Sequence, residues 1–304
     1  DLCIAATGSD TGGSIRIPSA LCGIVGLKPT FGRISCHGLV PLSWSLDHAG
    51  PMTKTVFDAA VMLKAMAGWD PKDPVTSRLP VPDYPGCVDG DIKGLRIAVD
   101  PVYAFDDVSD EVKSAFHSAL GVLKGLQVQI MEIELPGAHE GHEAALTILM
   151  SEATAYHEEW LKTRPDDYQA DVRARLESGF TFRGIDYGRA RHLQYRLIRE
   201  FELLFEQVDL LAMPMCGITA PLIGAREIVV GGRTAPFMKP LTLFTRLFNL
   251  TGLPAISIPC GFTAEHLPVG LQLVGRAWDE VTVLRVARAY EKATNWGVQR
   301  PPLD

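Results

Sequence analysis

The chain has 304 residues, with 29 Lys and Arg against 36 Asp and Glu, so its formal charge is −7 at pH 7. Hydrophobic residues make up 47% and charged residues 21%, which excludes disorder, collagen-like repeats and low-complexity tails. The acidic balance argues against nonspecific nucleic-acid binding, and no apolar run approaches the roughly 18–20 residues of a membrane helix.

Leu2–Ala6 reads as a strand that runs into a Gly-rich loop. A chain rarely begins in the middle of a core strand, so this pattern predicts residues in front of Asp1. The opening Asp-Leu-Cys has no basic region of a signal peptide. Pro18 suits the first turn of a short helix and Gly23 its stop. Thr55-x-x-Asp58 resembles a capping box, and Val56, Ala60, Leu63 and Ala67 follow at helical spacing until Gly68 and Pro71. Residues 70–93 hold five prolines and two glycines, which predicts a long surface excursion. A βαβ-like unit follows: strand Leu95–Val99, a helix capped by Ser109 with Val112, Phe116, Leu120 and Leu123 on one face, and strand Val128–Ile133. Residues 140–206 read as mainly helical, with a stripe of Leu193, Leu197, Phe201 and Leu204. Val208–Met213, Ala255–Pro259 and Val269–Val274 read as strands, and Asp279 opens a last helix through Ala293. Strands alternating with helices give an α/β class with a mostly parallel or mixed sheet covered on both faces. A single domain over 1–304 is expected, with a helical subdomain at about 140–206.

The six cysteines (Cys3, Cys22, Cys36, Cys87, Cys216 and Cys260) show no C-x-x-C spacing. They read as reduced, buried thiols of a cytoplasmic protein.

The stretch Gly8-Ser9-Asp10-Thr11-Gly12-Gly13-Ser14-Ile15-Arg16-Ile17-Pro18 carries the chemistry. Glycines at 12 and 13 allow φ > 0 and close approach of a substrate to the backbone. Successive N–H groups in such a loop converge on an anion. A serine at its end is placed for acyl transfer, its hydroxyl attacking a carbonyl while the N–H groups hold the oxyanion. A tight structural loop is the other reading of the same turn. The stretch lacks the Lys-Ser/Thr ending of a phosphate loop and the G-x-G-x-x-G spacing of a dinucleotide site.

Other constellations read as structure. His139-Glu140-x-His142-Glu143 does not match H-E-x-x-H, so a solvated helix start and no metal are expected. Glu158-Glu159 and Asp166-Asp167 point apart on a helix. Arg189, Arg191, Arg196 and Arg199 alternate with Glu200, Glu202 and Glu206, as on a solvent-facing helix. Arg16 is expected to hold the loop through ion pairs with Asp10 or Asp47. Phe237, Met238, Phe244 and Phe248 read either as an acyl pocket or as core.

The Gly8–Pro18 stretch, followed by Cys22-Gly-Ile-Val-Gly-Leu-Lys-Pro-Thr30, resembles the amidase signature family. Ser45-Leu46-Asp47 with Gly50-Pro51-Met52, Asp209-Leu-Leu211 with Pro214, Asn249-Leu-Thr-Gly-Leu-Pro-Ala255 and Pro268–Gly275 match in the family's order. The resemblance covers essentially the whole chain. It implies a large mixed β-sheet flanked by helices on both faces and hydrolysis of amides by a Ser–cis-Ser–Lys triad. It makes Ser14 the catalytic nucleophile and places the oxyanion-hole backbone on Thr11, Gly12, Gly13 and Ser14. No cofactor is implied. The implied partner is a small-molecule amide, with no nucleic acid or membrane and with homodimerisation left open.

In the family the cis-Ser and the general-base Lys lie upstream of the nucleophile, farther than the thirteen residues that precede Ser14. Neither role is assigned in this chain, which is expected to be a C-terminal fragment that alone hydrolyses amides very slowly or not at all. Lys28 reads as scaffold, and His37 and His48 as structural histidines. A glutaminase like the amide-transferring component of a tRNA-dependent amidotransferase, working with a partner, is the first alternative. Leu241–Arg246 offers no carboxylate to hold a glutamine amino group, which counts against it. A noncatalytic binding module on a degenerate amidase scaffold is the second alternative.

Overall fold

The computed structural model describes residues 3–105 and 107–299; Leu2, the start of the expected first strand, lies outside them. In chain order the elements are β1 (Ala5–Asp10), α1 (Arg16–Leu21), β2 (Val25–Lys28), β3 (His48–Thr53), α2 (Val56–Met66), α3 (Tyr84–Cys87) and β4 (Arg96–Val99). There follow α4 (Asp110–Gly125), β5 (Gln129–Glu132), α5 (Ala138–Thr163), α6 (Ala170–Glu177), α7 (Gly184–Gln207), β6 (Leu210–Pro214), β7 (Glu227–Val230) and β8 (Arg233–Pro236). The last are α8 (Met238–Thr242), α9 (Arg246–Leu250), β9 (Ala255–Phe262), β10 (Pro268–Gly275) and α10 (Glu280–Ala293).

Eight strands form one sheet in the order β1-β3-β2-β9-β10-β6-β4-β5. β4 pairs in parallel with β5 and β6, and the other pairs are antiparallel, so the sheet is mixed. Side chains alternate between faces along a strand. In β10, Gly270 and Gln272 face α1, whose Ala20 and Arg16 they meet, while Gly275 faces Val283 of α10. Helices therefore cover both faces. The α10 side carries α2 and α4; the other carries α1, and α5 packs on α7 and α9. Leu197, Phe201 and Phe205 of α7 join the same apolar cluster as the sheet residues Leu211, Ile256 and Leu273. No helix among the described residues is long and apolar enough to cross a membrane.

The local signals explain most elements. Thr55 accepts a hydrogen bond from Asp58 N–H at 3.1 Å, and Asp279 accepts one from Thr282 N–H at 3.2 Å, each satisfying an orphan donor of a helix start. Gly23, at φ +64°, follows the last turn of α1. Three expectations are corrected. The first strand runs on to Asp10, because main-chain pairing with β3 continues from Ala5↔Thr53 to Asp10↔His48, so Gly8 and Ser9 are strand rather than loop. Residues 70–93 are not a purely surface excursion, since Tyr84, Val88 and Ile92 are buried in the main core. All six cysteines are free, but only Cys216 and Cys260 are buried; Cys3 and Cys22 are exposed, Cys22 because it caps the outer end of α1.

Gly50 shows how tightly α1 and the sheet close. A Cβ there would stand 2.1 Å from the Leu27 carbonyl oxygen and 2.9 Å from Ile15 Cδ1. The first obstacle is backbone and cannot turn aside. Gly50→Ala is therefore expected to lower the unfolding free energy by at least about 1–3 kcal/mol, measured as a lower urea midpoint. An unchanged midpoint would contradict this packing.

Candidate active site

The loop from Thr11 to Ile15 joins the end of β1 to α1 and is built around one carboxylate. Asp10 and Arg16 are both fully buried. Asp10 Oδ1 accepts from Gly13 N–H at 2.7 Å, and Oδ2 accepts from Ile15 N–H at 3.2 Å and Arg16 N–H at 3.4 Å. The carboxylate thus satisfies the N-terminal donors of α1, whose own N-cap residue, Ile15, has no side chain able to do so. The Arg16 guanidinium grips the same carboxylate twice, Nε to Oδ2 and Nη2 to Oδ1, both at 3.0 Å. Its remaining donors go to Gln272 Oε1 (2.8 Å), Asn249 Oδ1 (2.7 Å) and the Thr245 carbonyl (3.1 Å). Asn249 Nδ2 returns bonds to the Asp10 carbonyl and carboxylate. Burial by itself would push the Asp10 carboxyl up, but the Arg16 charge and hydrogen bonds hold it well below the usual carboxylate range.

The same arrangement decides which loop amides are free. Gly13, at φ +129°, turns its N–H inward to Asp10, and a Cβ there would strike Ile17 Cδ1 at 2.5 Å. Thr245 Oγ1 donates to the Gly12 carbonyl at 2.5 Å. Among the described residues the N–H groups of Thr11, Gly12 and Ser14 have no acceptor. The structure thus departs from the sequence expectation at Gly13, whose amide is already engaged. Ser14 is exposed, and its hydroxyl has no hydrogen-bond partner among the described residues.

A second carboxylate fixes the opposite wall. Asp47 accepts from Thr11 Oγ1 at 2.5 Å, Leu42 N–H at 2.9 Å and Ser43 N–H at 3.1 Å. Burial raises its carboxyl, with these bonds opposing the shift. A third, Glu152 of α5, accepts from Ser43 Oγ, Ser45 Oγ and N–H, and the Tyr187 hydroxyl. The Ser45-Leu46-Asp47 motif is therefore a brace between the loop and the helical layer.

Between these walls lies a cavity of about 280 Å³ with Thr11, Gly12 and Ser14 at one side. Leu42, Leu149, Met150, Val172, Leu176 and Met238 give it apolar walls, and Arg175 and Arg246 give it charge. Of the four residues weighed as an acyl pocket, only Met238 lines this cavity; Phe244 and Phe248 are fully buried in the core and Phe237 packs against a smaller cluster. His142 is not on a solvated helix start. It is buried and its Nε2 lies 2.8 Å from Arg246 Nη1. Arg16 pairs with Asp10 as expected, whereas Asp47 serves Thr11 instead.

None of the residues weighed as a substitute base meets Ser14. Lys28 is fully buried, its ammonium donating to the Leu253 and Pro29 carbonyls at 2.6 and 3.2 Å, and burial and the Arg16 charge push its pKa well down. His48 lies on β3 with Nδ1 2.7 Å from the Leu46 carbonyl, and burial and the Lys28 charge push it far below an ordinary histidine. His37 is exposed. Sequence reasoning missed Glu152 and Arg246 as site residues. Their signal was a lone charge inside an apolar run, Ala-Leu-Thr-Ile-Leu-Met-Ser-Glu152 and Leu-Thr-Leu-Phe-Thr-Arg246-Leu-Phe.

Comparison with known proteins identifies the family. A family model described as Amidase matches residues 1–284. An amidase of Pseudomonas putida is 42% identical over 300 residues, covering 98% of this chain and 64% of that protein. A glutamyl-tRNA(Gln) amidotransferase component of Thermosynechococcus vestitus is 40% identical over 327 residues, covering 99% of this chain and 66% of that one. A crystal structure of an amidase superposes with a TM-score of 0.85 at 30% identity, over 96% of this chain and 63% of its own. The chain thus spans slightly less than two thirds of the length of the curated relatives it matches.

The buried pair makes two measurable statements. Arg16→Met leaves the Asp10 carboxylate buried without its cation, and is expected to cost about 3–5 kcal/mol of unfolding free energy in denaturant titration. In the unsubstituted chain the folded-state pKa of Asp10 is depressed. Its contribution to stability is therefore present above the unfolded value of about 3.9 and is lost as pH falls below it. A urea midpoint that rose from pH 5 to pH 3 would be incompatible with that sign.

Proposed function

The chain belongs to the amidase family, and from this we propose that it serves amide hydrolysis with Ser14 as the acyl nucleophile. One observation carries the reading. An exposed Ser14 hydroxyl stands beside main-chain N–H groups of Thr11, Gly12 and Ser14 that have no acceptor among the described residues, at the rim of a cavity. Attack of Ser14 Oγ on the amide carbon forms a C–O bond and places negative charge on the carbonyl oxygen, which those N–H groups receive. Each such donor is typically worth about 3–4 kcal/mol of barrier. The hydroxyl proton passes to a base and from it to the leaving nitrogen. The C–N bond then breaks, ammonia or an amine departs, and water hydrolyses the acyl-enzyme.

Among the described residues no base meets the Ser14 hydroxyl. A serine hydroxyl is a weak nucleophile without one, and Lys28, His37 and His48 do not meet Ser14. We assign the relay to the Lys and cis-Ser of the family's Ser–cis-Ser–Lys triad, which in the family precede the nucleophile. The chain by itself then hydrolyses amides very slowly or not at all.

Similarity to a glutamyl-tRNA(Gln) amidotransferase component favours a second reading, a glutaminase working with a partner. The cavity beside Ser14 has no carboxylate among its lining residues to receive a glutamine ammonium, so the hydrolase reading is preferred.

A fluorophosphonate probe separates these readings from a noncatalytic module. In the complete natural polypeptide, labelling is expected at Ser14, and Ser14→Ala is expected to abolish labelling and reduce kcat by several orders of magnitude, on the order of 10⁶ by analogy with other triad nucleophiles. Peptide mapping of the label to another residue would end the proposal.

A further inference from the structure

We propose that Thr245 is a positioning residue for amide hydrolysis: its hydroxyl holds the Gly12–Gly13 peptide, so that the free N–H groups of Gly12 and Ser14 keep one mutual geometry towards the reacting carbonyl oxygen. This rests on the reading of Ser14 as acyl nucleophile and adds a residue to that site's machinery.

The Gly12–Gly13 peptide is the link between those two amides. Peptide units are rigid planes, so the relative direction of the Gly12 and Ser14 N–H groups is set by the dihedrals on either side of this one. Both residues are glycines, and Gly13 sits at φ +129°, where only a residue without a side chain is at ease. Local sequence therefore leaves the link loose, and the fold grips it at both ends. Gly13 N–H donates to Asp10 Oδ1 at 2.7 Å, and the Gly12 carbonyl accepts from Thr245 Oγ1 at 2.5 Å, its only donor among the described residues. The next peptide is pinned as well, since the Gly13 carbonyl accepts from Ile17 N–H at 2.7 Å. Of these three contacts, only the one from Thr245 reaches the loop from a distant part of the chain.

Thr245 is itself firmly held. It is fully buried, its carbonyl accepts from Arg16 Nη2 at 3.1 Å, and its N–H donates to the Thr242 carbonyl at 3.2 Å. A Cβ built on Gly13 would stand 2.8 Å from Thr245 Oγ1, so the hydroxyl lies against the glycine it steadies.

The place of Thr245 in its own helix is a second, independent observation. It is the N-cap residue of α9, where a threonine ordinarily turns its hydroxyl to accept an N–H of the first turn. Here the side chain makes no such cap. A hydroxyl has one proton to donate, and the Gly12 carbonyl at 2.5 Å is nearer than the Thr242 carbonyl at 3.1 Å. The hydroxyl thus serves the nucleophile loop rather than the helix it opens. Aligned donors matter most when negative charge has developed on the oxygen, so their loosening acts on the transition state more than on substrate binding.

The test uses the complete natural polypeptide. It follows the second-order rate constant for fluorophosphonate labelling of Ser14, together with kcat and KM for butyramide. The phosphonyl oxygen of the probe takes the place of the oxyanion, so labelling reports on the same amides without the natural substrate. Thr245→Val removes the hydroxyl at nearly constant shape. It is expected to lower the labelling rate constant and kcat by roughly 10- to 100-fold, less than the roughly 10²- to 10³-fold lost with an oxyanion donor itself, and to change KM by less than about twofold. Thr245→Ser, which keeps the donor, is expected to stay within about threefold of the unsubstituted protein. A purely structural role would shrink the labelled fraction and leave the rate constant of the folded protein unchanged. An unchanged rate constant in Thr245→Val, a rise in KM with kcat intact, or Thr245→Ser as slow as Thr245→Val overturns the proposal. Thr245→Ala repeats the measurement if circular dichroism shows Thr245→Val unfolded; loss of fold in both makes the hydroxyl a folding requirement and also overturns it. The place of the label keeps the two proposals apart: Ser14 labelled at an unaltered rate in Thr245→Val sinks this one alone, and a label mapped to another residue sinks the nucleophile.

Discussion

The Asp10 carboxylate is the point on which the site depends. A loop that turns from a strand into a helix leaves several main-chain N–H groups without ladder or helix partners, and buried amides must be paired. Asp10 receives those of Gly13, Ile15 and Arg16 at once. That alone would strand a negative charge in the core, and Arg16 offsets it through two contacts. Asn249 and Gln272 then occupy the guanidinium's other donors, so charge and hydrogen bonding are satisfied together. A buried pair is weak evidence of net stability. What it provides here is geometry: with the inward amides bound to Asp10, those of Thr11, Gly12 and Ser14 are left for something else.

This dependence explains why residues far apart in sequence belong to one unit. Asn249 and Gln272 lie more than two hundred residues after Arg16, yet each places one amide group on its guanidinium. Thr245, on the same return of chain, clamps the Gly12 carbonyl. The Asn-Leu-Thr-Gly-Leu-Pro-Ala and Pro-Val-Gly-Leu-Gln motifs thus supply the support beneath the nucleophile loop.

Much of this could be read from the sequence, for specific reasons. Elements with strong local signals stood out, such as α2 with its Thr55 cap and α4 with Val112, Phe116 and Leu123 on one face. Arg16 was expected to hold the loop through an ion pair with Asp10 or Asp47, and it is Asp10 that it meets. The short strands β2 and β3 were missed because Val-Gly-Leu-Lys and His-Ala-Gly-Pro-Met-Thr show neither alternation nor β-branched enrichment; they are strands because they are buried between neighbours. The cavity walls were equally hidden. Leu149, Met150, Val172 and Leu176 sit on helices whose apolar positions look like ordinary core, and only tertiary packing turns some of them towards Ser14. His142 was misjudged for the same reason, since a histidine next to glutamates suggests solvent until Arg246 is brought against it.

The distribution of buried charge separates scaffold from site. Asp10, Asp47, Glu152 and Glu280 each gather donors from loops that lack sheet or helix partners. Glu280 accepts from Thr30 N–H at 2.9 Å, lies 3.4 Å from the Tyr84 hydroxyl and pairs with Arg33 at 3.5 Å. A carboxylate suits this task because its two oxygens accept several hydrogen bonds in one small volume. Asp10 and Glu280 pair with Arg16 and Arg33, whereas among the described residues Asp47 and Glu152 accept only from hydroxyls and main-chain N–H groups. Lys28, which meets no carboxylate directly, donates to two carbonyls and has its charge disfavoured by burial. Arg246 stays protonated beside a neutral His142, with the Glu143 charge partly opposing the effect of burial and of Arg175. Arg246 thus lines the cavity next to the main-chain amides of Thr11, Gly12 and Ser14 that Asp10 leaves unpaired, which joins the helical layer to the nucleophile loop.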